Sequence, residues 1–252
     1  DIMQLNNRYK NVFGKIPILG MIHLAGNEPV KRALDELTLF EEEGIDGAIV
    51  ENYHGSVDDV IQTLQATSRL DTNVVIGINV LPNEFNQAFQ LAAQYGADFI
   101  QLDHVSGKYR SGEINFSAYA SQKERFPNVM VLGGVWPKYY RPLDGSNLEA
   151  DVRLGTERAE AIVVTGPGTG KETPFDKIRR FREITGEHPL VIGAGLTPEN
   201  AYDQLCITDG AIVGTCLKVG NNTSNPVDRG RVREFMSAVK EARAYQDSLI
   251  QY

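Results

Sequence analysis

The chain has 252 residues, of which 42% are hydrophobic and 23% charged, a composition typical of a globular protein with one substantial core. Its net charge of -8 argues against nucleic acid as a partner, because binding to a phosphate backbone requires a basic surface. The spacing of its two cysteines, Cys206 and Cys216, fits neither a disulfide framework nor a zinc motif. No apolar run is long enough for a signal peptide or a membrane span, so we expect a cytoplasmic protein without membrane insertion.

Two short patterns alternate along the chain and divide it into eight units. In one, an apolar run ends in glycine, and in the other an acidic residue opens an apolar run. In chain order, the two patterns are marked by Gly20, Asp46, Gly77, Asp98, Gly133, Glu160, Gly193 and Asp209. We predict strands near residues 16–24, 46–52, 74–81, 98–104, 129–136, 160–166, 189–196 and 209–216. Amphipathic patterns predict helices over Pro29–Glu43, Val57–Arg69, Glu84–Tyr95, Ser117–Arg125, Thr173–Thr185, Pro198–Leu205 and Asp228–Ala244.

Eight β-α units in one chain predict an α/β fold, the (βα)8 TIM barrel, in which a closed parallel sheet is surrounded by helices. The continuous apolar runs are typical of parallel strands that are buried on both faces. The alternative is a doubly wound open sheet. Because no composition shift divides the chain, we predict one barrel domain over residues 1–252. Glycines on the odd-numbered strands would leave room in the interior for side chains of the even-numbered strands.

Active sites of TIM barrels lie at the carboxyl ends of the strands, and the repeats locate the residues at that end. Counting two residues past each glycine and five past each acidic residue gives Ile22, Glu51, Asn79, Asp103, Val135, Thr165, Gly195 and Gly214. Glu51, Asn79 and Asp103 end three neighbouring apolar strands, where an unpaired buried charge would be costly. We predict that Glu51 and Asp103 act as general acid and base and that Asn79 orients the substrate. The alternative is that both carboxylates only form ion pairs with basic loop residues.

Basic and aromatic residues near the same strand ends complete this candidate site. His23 ends strand 1 and is a candidate for proton exchange, whereas His104 ends strand 4 and is a candidate ligand-binding residue. The lysines that could balance negative charge and the aromatic residues that could stack on a base are Lys138, Lys171, Lys218, Trp136 and Tyr139. No spacing among the histidines and carboxylates indicates a metal site, so we predict no cofactor and assign no metal ligands, and the use of a divalent metal by these groups stays open.

A glycine-rich segment at the ends of strands 7 and 8 predicts a phosphate site. Gly193, Gly195 and Gly214 would let backbone N–H groups approach an anion. Thr197 is a suitable N-cap for the following helix, and Thr215 adds a hydroxyl beside the last glycine. Phosphate sites after strands 7 and 8 recur in TIM barrels, although the same residues also suit plain turns.

The stretch from Gly166 to Thr173 is similar to a P-loop, but its spacing is wrong. A P-loop requires Gly, four residues, Gly-Lys and then Ser or Thr. Here Thr165 occupies the first glycine position, and Glu172 follows Lys171, so the usual Mg²⁺ ligand is missing. We therefore expect no ATP hydrolysis by a P-loop mechanism. We predict instead a mobile loop over the strand ends, with Thr165 and Lys171 available to the ligand.

These segments resemble the BtpA family, a barrel family named for a photosystem I biogenesis factor. The resemblance covers most of the chain and rests on Gly20–Leu24, Asp46–Asn52, Asn79–Leu81, Val164–Gly170, Gly195–Asn200 and Asp209–Lys218. The sequence departs from the family in strand 4, Gln101–His104, where an arginine is typical, and in strand 5, where many relatives have an aspartate before the lysine. The resemblance implies a TIM barrel with an enzyme-like active end, but no particular reaction.

Two functions fit these observations. The first is an enzyme acting on a phosphorylated sugar or nucleotide-like compound, by isomerase, lyase or glycosyl transfer or hydrolysis chemistry. The second is a non-catalytic assembly or biogenesis factor, as the family's name suggests. The polar strand ends favour the enzyme. We expect a phosphorylated small molecule as the partner, no nucleic acid and no membrane, and we leave homo-oligomer formation open.

Overall fold

The computed structural model describes residues 2–251, with side chains from residue 7 onward. Eight parallel strands pair in chain order, and β1 also pairs with β8, so the sheet closes into a barrel. This confirms the predicted (βα)8 barrel and excludes the open sheet. The strands are β1 Ile18–Ile22, β2 Gly47–Glu51, β3 Val75–Asn79, β4 Phe99–Leu102, β5 Met130–Gly134, β6 Ala161–Val164, β7 Leu190–Ile192 and β8 Gly210–Val213.

Helices surround the barrel, as the repeat predicts. They are α1 Ile2–Phe13, α2 Pro29–Glu42, α3 Val57–Thr67, α4 Phe85–Tyr95, α5 Phe116–Arg125, α6 Leu148–Arg158, α7 Phe175–Thr185, α8 Pro198–Leu205 and α9 Arg229–Leu249. Short 3-10 helices cover Thr215–Leu217 and Val219–Asn221. Within residues 2–251, the helices are all too short or too polar to cross a membrane.

The barrel interior is filled by alternate side chains of the strands. These buried residues are Leu19, Met21, Ile49, Phe99, Met130, Leu132, Ala161, Val163, Val191 and Ile212. Gly77 makes room for Phe99, because a Cβ atom at Gly77 would lie 2.2 Å from the Phe99 ring. Tyr9 and Phe13 of α1 extend the same cluster, and the rings of Phe13 and Phe99 lie 5.3 Å apart. We infer that α1 closes the amino-terminal end of the barrel and leaves the opposite end open.

The acidic residue of the repeat stabilises the amino-terminal end of the barrel. Asp46 Oδ2 accepts a hydrogen bond from Ile18 N–H at 2.8 Å, and Glu160 Oε2 accepts one from Val131 N–H at 2.8 Å. Asp209 Oδ2 likewise accepts from the first N–H of β7 at 2.9 Å. Their basic partners are Arg243 for Asp46, Lys123 for Glu160 and Arg182 for Asp209. The repeat therefore joins β2, β6 and β8 each to the preceding strand through a carboxylate and leaves the other end of the barrel free for function.

Two helices were absent from the sequence-based prediction. In α6, the buried face consists of Val152, Gly155 and Thr156, so the helix lacks the apolar periodicity that would reveal it. In α1, the segment is rich in Asn and other polar residues and contributes Tyr9 and Phe13 as its described buried residues. Packing against the rest of the barrel, rather than a strong local pattern, stabilises α6. In α1 the apolar residues do recur at helical spacing, so its sequence pattern could have identified the helix.

Candidate active site

Two adjoining cavities open at the carboxyl ends of the strands, here called the mouth. The larger, of about 280 Å³, lies between β1, β7 and β8, and the smaller, of about 130 Å³, lies between β3 and β6. Predicted residues that line only the larger cavity are His23, Gly193, Gly195, Thr197, Gly214 and Thr215. Predicted residues that line only the smaller cavity are Asn79, Asp103, Tyr139 and Thr165. The residues that line both cavities are Glu51, Tyr53, Gln101, Lys138 and Thr169.

Glu51 and Asn79 form a buried pair at the ends of β2 and β3. They are partners in the strand register, and Asn79 Nδ2 donates to Glu51 Oε2 at 2.8 Å. Burial raises the pKa of Glu51 to about 7, with Lys138 and Asn79 opposing the rise and Asp103 adding to it. At neutral pH the Glu51 carboxyl is therefore present in both its protonated and its ionised form. A group that both donates and accepts protons during a reaction requires both forms to be populated.

Asp103 directly follows β4 and lies in a different environment. The Tyr140 hydroxyl donates to Asp103 Oδ2 at 2.6 Å. Burial raises the pKa of Asp103, while the Tyr140 hydrogen bond, the Lys138 charge and the backbone of Asn83 lower it. The mouth thus contains two carboxylates, one bonded to an amide and the other to a phenol. Such pairs in unequal environments are the usual basis of acid and base assignments.

Lys138 provides positive charge beside both carboxylates and is held on a strained turn. Trp136, two residues before it, and Tyr139, directly after it, have left-handed backbone angles, with φ of 49° and 69°. Lys138 N–H donates to Thr165 Oγ1 at 2.8 Å. Lys177 Nζ donates to the carbonyls of Trp136 at 2.9 Å and Thr165 at 2.7 Å, and burial lowers the pKa of Lys177 to about 8. These contacts fix the position from which Lys138 acts.

Gly195 forms part of the wall of the larger cavity and packs beneath the loop that follows β6. Its φ is 77°, and a Cβ atom there would lie 2.1 Å from the carbonyl oxygen of Lys171. Only glycine fits both conditions. Asn200 in α8 fixes the segment, since its Nδ2 donates to the Gly195 carbonyl at 3.0 Å and its Oδ1 accepts from Thr197 N–H at 2.8 Å.

Gly214 forms the adjacent wall, at the end of β8. A Cβ atom at Gly214 would lie 2.9 Å from His23 Cε1, so a side chain here would extend into the cavity. Among the residues described, the N–H groups of Gly195 and Gly214 donate to no backbone carbonyl. The start of α8 lies beside them, at Pro198. Free N–H groups next to a helix amino terminus are the elements of an anion site.

His23 is buried in the larger cavity and uncharged at neutral pH. Burial lowers its pKa to about 2, and the charge of Lys218 contributes further. Its Nδ1 atom has no hydrogen-bond partner among the described residues, and its ring packs edge-on against Tyr53 at 5.2 Å. A neutral imidazole favours a hydrogen-bonding role over the predicted proton exchange. In residues 7–251, His, Cys, Asp and Glu side chains form no group of three placed to hold a metal ion.

The loop between β6 and α7 crosses the mouth and contacts its far side. Thr169 is the contact point, because its hydroxyl accepts from Lys138 Nζ at 3.2 Å and from the Tyr53 hydroxyl at 3.5 Å. Thr169 N–H donates to the hydroxyl of Tyr139 at 2.8 Å. The loop therefore separates the two cavities above Lys138.

The same loop differs from a P-loop in structure as well as in spacing. Thr173 is fully buried, and its hydroxyl donates to the carbonyl of Ala194 at 3.0 Å. This hydroxyl is already used within the protein, and α7 begins only at Phe175. Lys171 is exposed on the outside of the loop, and its backbone rather than its ammonium group faces Gly195. The position of Lys171 therefore does not agree with the ligand contact predicted for its side chain.

The predicted position of Lys218 is a second point that the structure corrects, because this residue lies inside the protein and not at the mouth. It is 1% exposed, and its Nζ lies 3.4 Å from Oε2 of Glu36 in α2. The 3-10 helix that follows β8 turns the chain away from the strand ends before this residue. The lysine therefore serves a buried ion pair that joins α2 to the loop after β8.

Trp136 and His104, which were also predicted to bind the ligand, lie outside the two cavities. The Trp136 indole N–H donates to Asp151 Oδ2 in α6 at 2.8 Å, so the ring is directed toward the helix layer. His104 packs between the rings of Tyr109 at 4.7 Å and Tyr140 at 4.9 Å, and burial lowers its pKa to about 4. Both residues are supports for the mouth and do not line it.

Sequence reasoning missed several residues that line the cavities. Gln101 lies two positions before Asp103 on the same strand, so the alternation of strand side chains could have identified it. Tyr53, Tyr140 and Thr169 lie in loops, where no periodic pattern exists. Their positions depend on contacts made only after folding.

Comparisons with known proteins agree with this architecture. The model of the BtpA family matches residues 15–241. Photosystem I biogenesis protein BtpA of Synechocystis sp. is 29% identical over 89% of this chain and 88% of its own length. An uncharacterized protein of Pyrococcus horikoshii is 29% identical over 96% of this chain and 99% of its own length.

Solved structures of similar shape are TIM barrels of low sequence identity. Phosphoribosyl anthranilate isomerase of Thermus thermophilus has a TM-score of 0.60 and 15% identity, covering 89% of this chain and 98% of its own. Thiamine phosphate pyrophosphorylase of Pyrococcus furiosus has a TM-score of 0.61 and 16% identity, covering 94% and 99% of the two chains. At these identities the likeness is one of fold.

Proposed function

The chain belongs to the BtpA family, and we propose that its mouth is the active site of an enzyme acting on a phosphorylated sugar or nucleotide-like compound. The observation that carries this proposal is the environment of Glu51. A carboxyl whose pKa is raised by burial to about 7 lies beside Asp103 and Lys138 at the end of the barrel where TIM-barrel enzymes have their active sites. Perturbed groups in a cleft are typical of catalysis.

In the proposed reaction, Glu51 and Asp103 exchange protons with the substrate. The protonated carboxyl donates to an oxygen or nitrogen that gains electrons, and the ionised one accepts a proton released elsewhere. Lys138 stabilises the negative charge that develops between them, and Asn79 holds Glu51 in place through the 2.8 Å hydrogen bond. Isomerase, lyase and glycosyl transfer chemistry all use these elements.

We assign the phosphate group of the substrate to the larger cavity. The free N–H groups of Gly195 and Gly214, the start of α8 and the Thr215 hydroxyl support this assignment. The names of the two structurally similar enzymes contain phosphoribosyl and phosphate groups, which adds support by analogy.

The name of the Synechocystis relative supports the alternative of a non-catalytic biogenesis factor. A surface that only docks a protein does not require two buried carboxylates in a cavity, and burying them is unfavourable. The carboxylates therefore favour an enzyme.

The test is a screen of sugar phosphates and nucleotides by native mass spectrometry and thermal shift, followed by turnover assays on each ligand that binds. We expect Glu51→Gln to bind the ligand within a few-fold of wild type but to convert it at least about 100-fold more slowly, since general acid or base catalysis contributes this much. The exposed Glu187→Gln variant is the matched control. Binding of no phosphorylated compound, or full turnover by Glu51→Gln, would contradict the proposal.

A further inference from the structure

The smaller cavity has aromatic walls whose polar groups are already in use. Tyr140 donates its hydroxyl to Asp103 at 2.6 Å, and the Tyr139 hydroxyl accepts from Thr169 N–H at 2.8 Å. The Tyr53 hydroxyl is likewise directed to Thr169. With their hydroxyls held in this way, the tyrosines present ring surface to the cavity. Such walls suit a flat group that is apolar on its faces.

The same cavity contains hydrogen-bond acceptors without partners. Asn79 is 2% exposed, and although its Nδ2 is bonded to Glu51, its Oδ1 has no partner among the described residues. Gln101 Oε1 is also buried without a partner. Buried polar atoms of this kind are rare, and each is costly unless a ligand satisfies it. The missing partners are donors, N–H or O–H, on the bound molecule.

We propose that the smaller cavity binds a planar, uncharged nitrogen ring of the substrate, whose edge donates hydrogen bonds to Asn79 and Gln101. A sugar is a poorer fit, because it is not flat and carries polar groups on its rim in all directions. A ring bearing a carboxylate fits less well than a neutral ring, since two carboxyl groups, Asp103 and Glu51, and one cation, Lys138, line the same space.

This inference rests on the proposed function for the other half of the substrate, the phosphate in the larger cavity. Glu51, Gln101 and Lys138 line both cavities, so they lie where the two halves of the substrate are joined. The substrate class is then a sugar phosphate that carries a neutral nitrogen ring, with the linkage between ring and sugar beside Glu51 and Lys138.

The test is calorimetric titration of the wild-type protein with four probes. These are ribose 5-phosphate, cytidine, cytidine 5′-monophosphate and 5-carboxycytidine 5′-monophosphate, which has the cytidine ring with an added carboxylate. The amino group of cytosine carries two N–H donors, one for each of the two acceptors. We expect cytidine 5′-monophosphate to bind at least tenfold more tightly than ribose 5-phosphate, and the carboxylated compound to lose this advantage. Equal affinity for ribose 5-phosphate and cytidine 5′-monophosphate, or tighter binding of the carboxylated compound, would overturn the ring site.

Variants separate the ring site from the phosphate site. Tyr139 is 72% exposed, so Tyr139→Ala leaves the core intact, and we expect it to abolish the advantage of the ring. Tyr139→Phe keeps the aromatic ring but loses the hydrogen bonds with Thr169, so it should retain the advantage. Tyr202→Ala, at an exposed tyrosine on α8, is the matched control. If cytidine binds through Tyr139 but ribose 5-phosphate does not bind, the ring site stands and the phosphate assignment fails. If the advantage of the ring survives Tyr139→Ala, the ring site is wrong.

Discussion

Replacing Glu51 with glutamine should stabilise the protein at alkaline pH. In the unfolded chain this carboxyl ionises near pH 4.5, but in the folded protein it keeps its proton to about pH 7. Between these values the folded state binds more protons, so stability falls as pH rises. Each pKa unit corresponds to about 1.4 kcal/mol, so full ionisation lowers the unfolding free energy by about 3 kcal/mol. Glutamine cannot ionise and can still accept the hydrogen bond from Asn79.

We therefore expect Glu51→Gln to have little effect on stability at pH 5 and to raise the unfolding free energy at pH 8 by up to about 3 kcal/mol. The assay is urea unfolding of wild type and variant at both pH values, with Glu187→Gln as the exposed control. A variant less stable than wild type at pH 8 by several kcal/mol would show that Glu51 is an ionised member of a structural ion pair, and would refute this reasoning.

Three further variants test other parts of the mouth and its surroundings. Gly195 has a φ of 77° and lies in close contact with the loop, so Gly195→Ala should lower the unfolding free energy by more than about 1 kcal/mol in urea titrations. An unchanged unfolding free energy would contradict the packing described. Lys171→Ala should leave binding of ribose 5-phosphate unchanged in calorimetric titration, because its exposed side chain lines neither cavity. Magnesium-dependent ATP turnover that this substitution abolishes would instead establish a P-loop mechanism. Lys218→Met leaves Glu36 buried without its cationic partner, so it should lower the unfolding free energy by about 3–5 kcal/mol. An unchanged unfolding free energy would instead indicate that Lys218 lies at the surface.

The barrel could be predicted from sequence because its stabilising features repeat. The acid at the start of three of the four even-numbered strands, such as Asp46 or Asp209, forms the same hydrogen bond to the preceding strand. Apolar runs of four to five residues are all that a strand buried on both faces requires. Glu51, Asn79 and Asp103 follow from the same repeat, because each lies at its strand end.

The glycine pattern was less informative, because it serves two different faces of the barrel. Gly77 faces the interior, where it accommodates Phe99, but Gly20 faces outward, and a Cβ atom there would lie 2.5 Å from the ring of Phe40 in α2. Counting two residues past Gly20 therefore reaches Ile22, which packs in the outer layer, and the residue directed into the mouth is its neighbour His23. A displacement of one residue reverses the side of a strand.

The loop residues could not be predicted, because their positions depend on partners distant in sequence. Lys218 is buried in an ion pair with Glu36, which lies 182 residues away in the sequence. Thr169 reaches the mouth through Tyr53, 116 residues away, and Tyr140 is fixed by Asp103. No local pattern encodes such contacts, so the aromatic walls of the smaller cavity became visible only in the folded structure.

The most direct measurement of the central claim is the position of phosphate in crystals soaked in inorganic phosphate and, separately, in ribose 5-phosphate. We expect the phosphate group in the larger cavity, within hydrogen-bond distance of the N–H groups of Gly195 and Gly214, with the sugar extending toward Glu51. Phosphate bound only at other surfaces, with the mouth empty in both soaks, would contradict the claim that this barrel acts on a phosphorylated substrate.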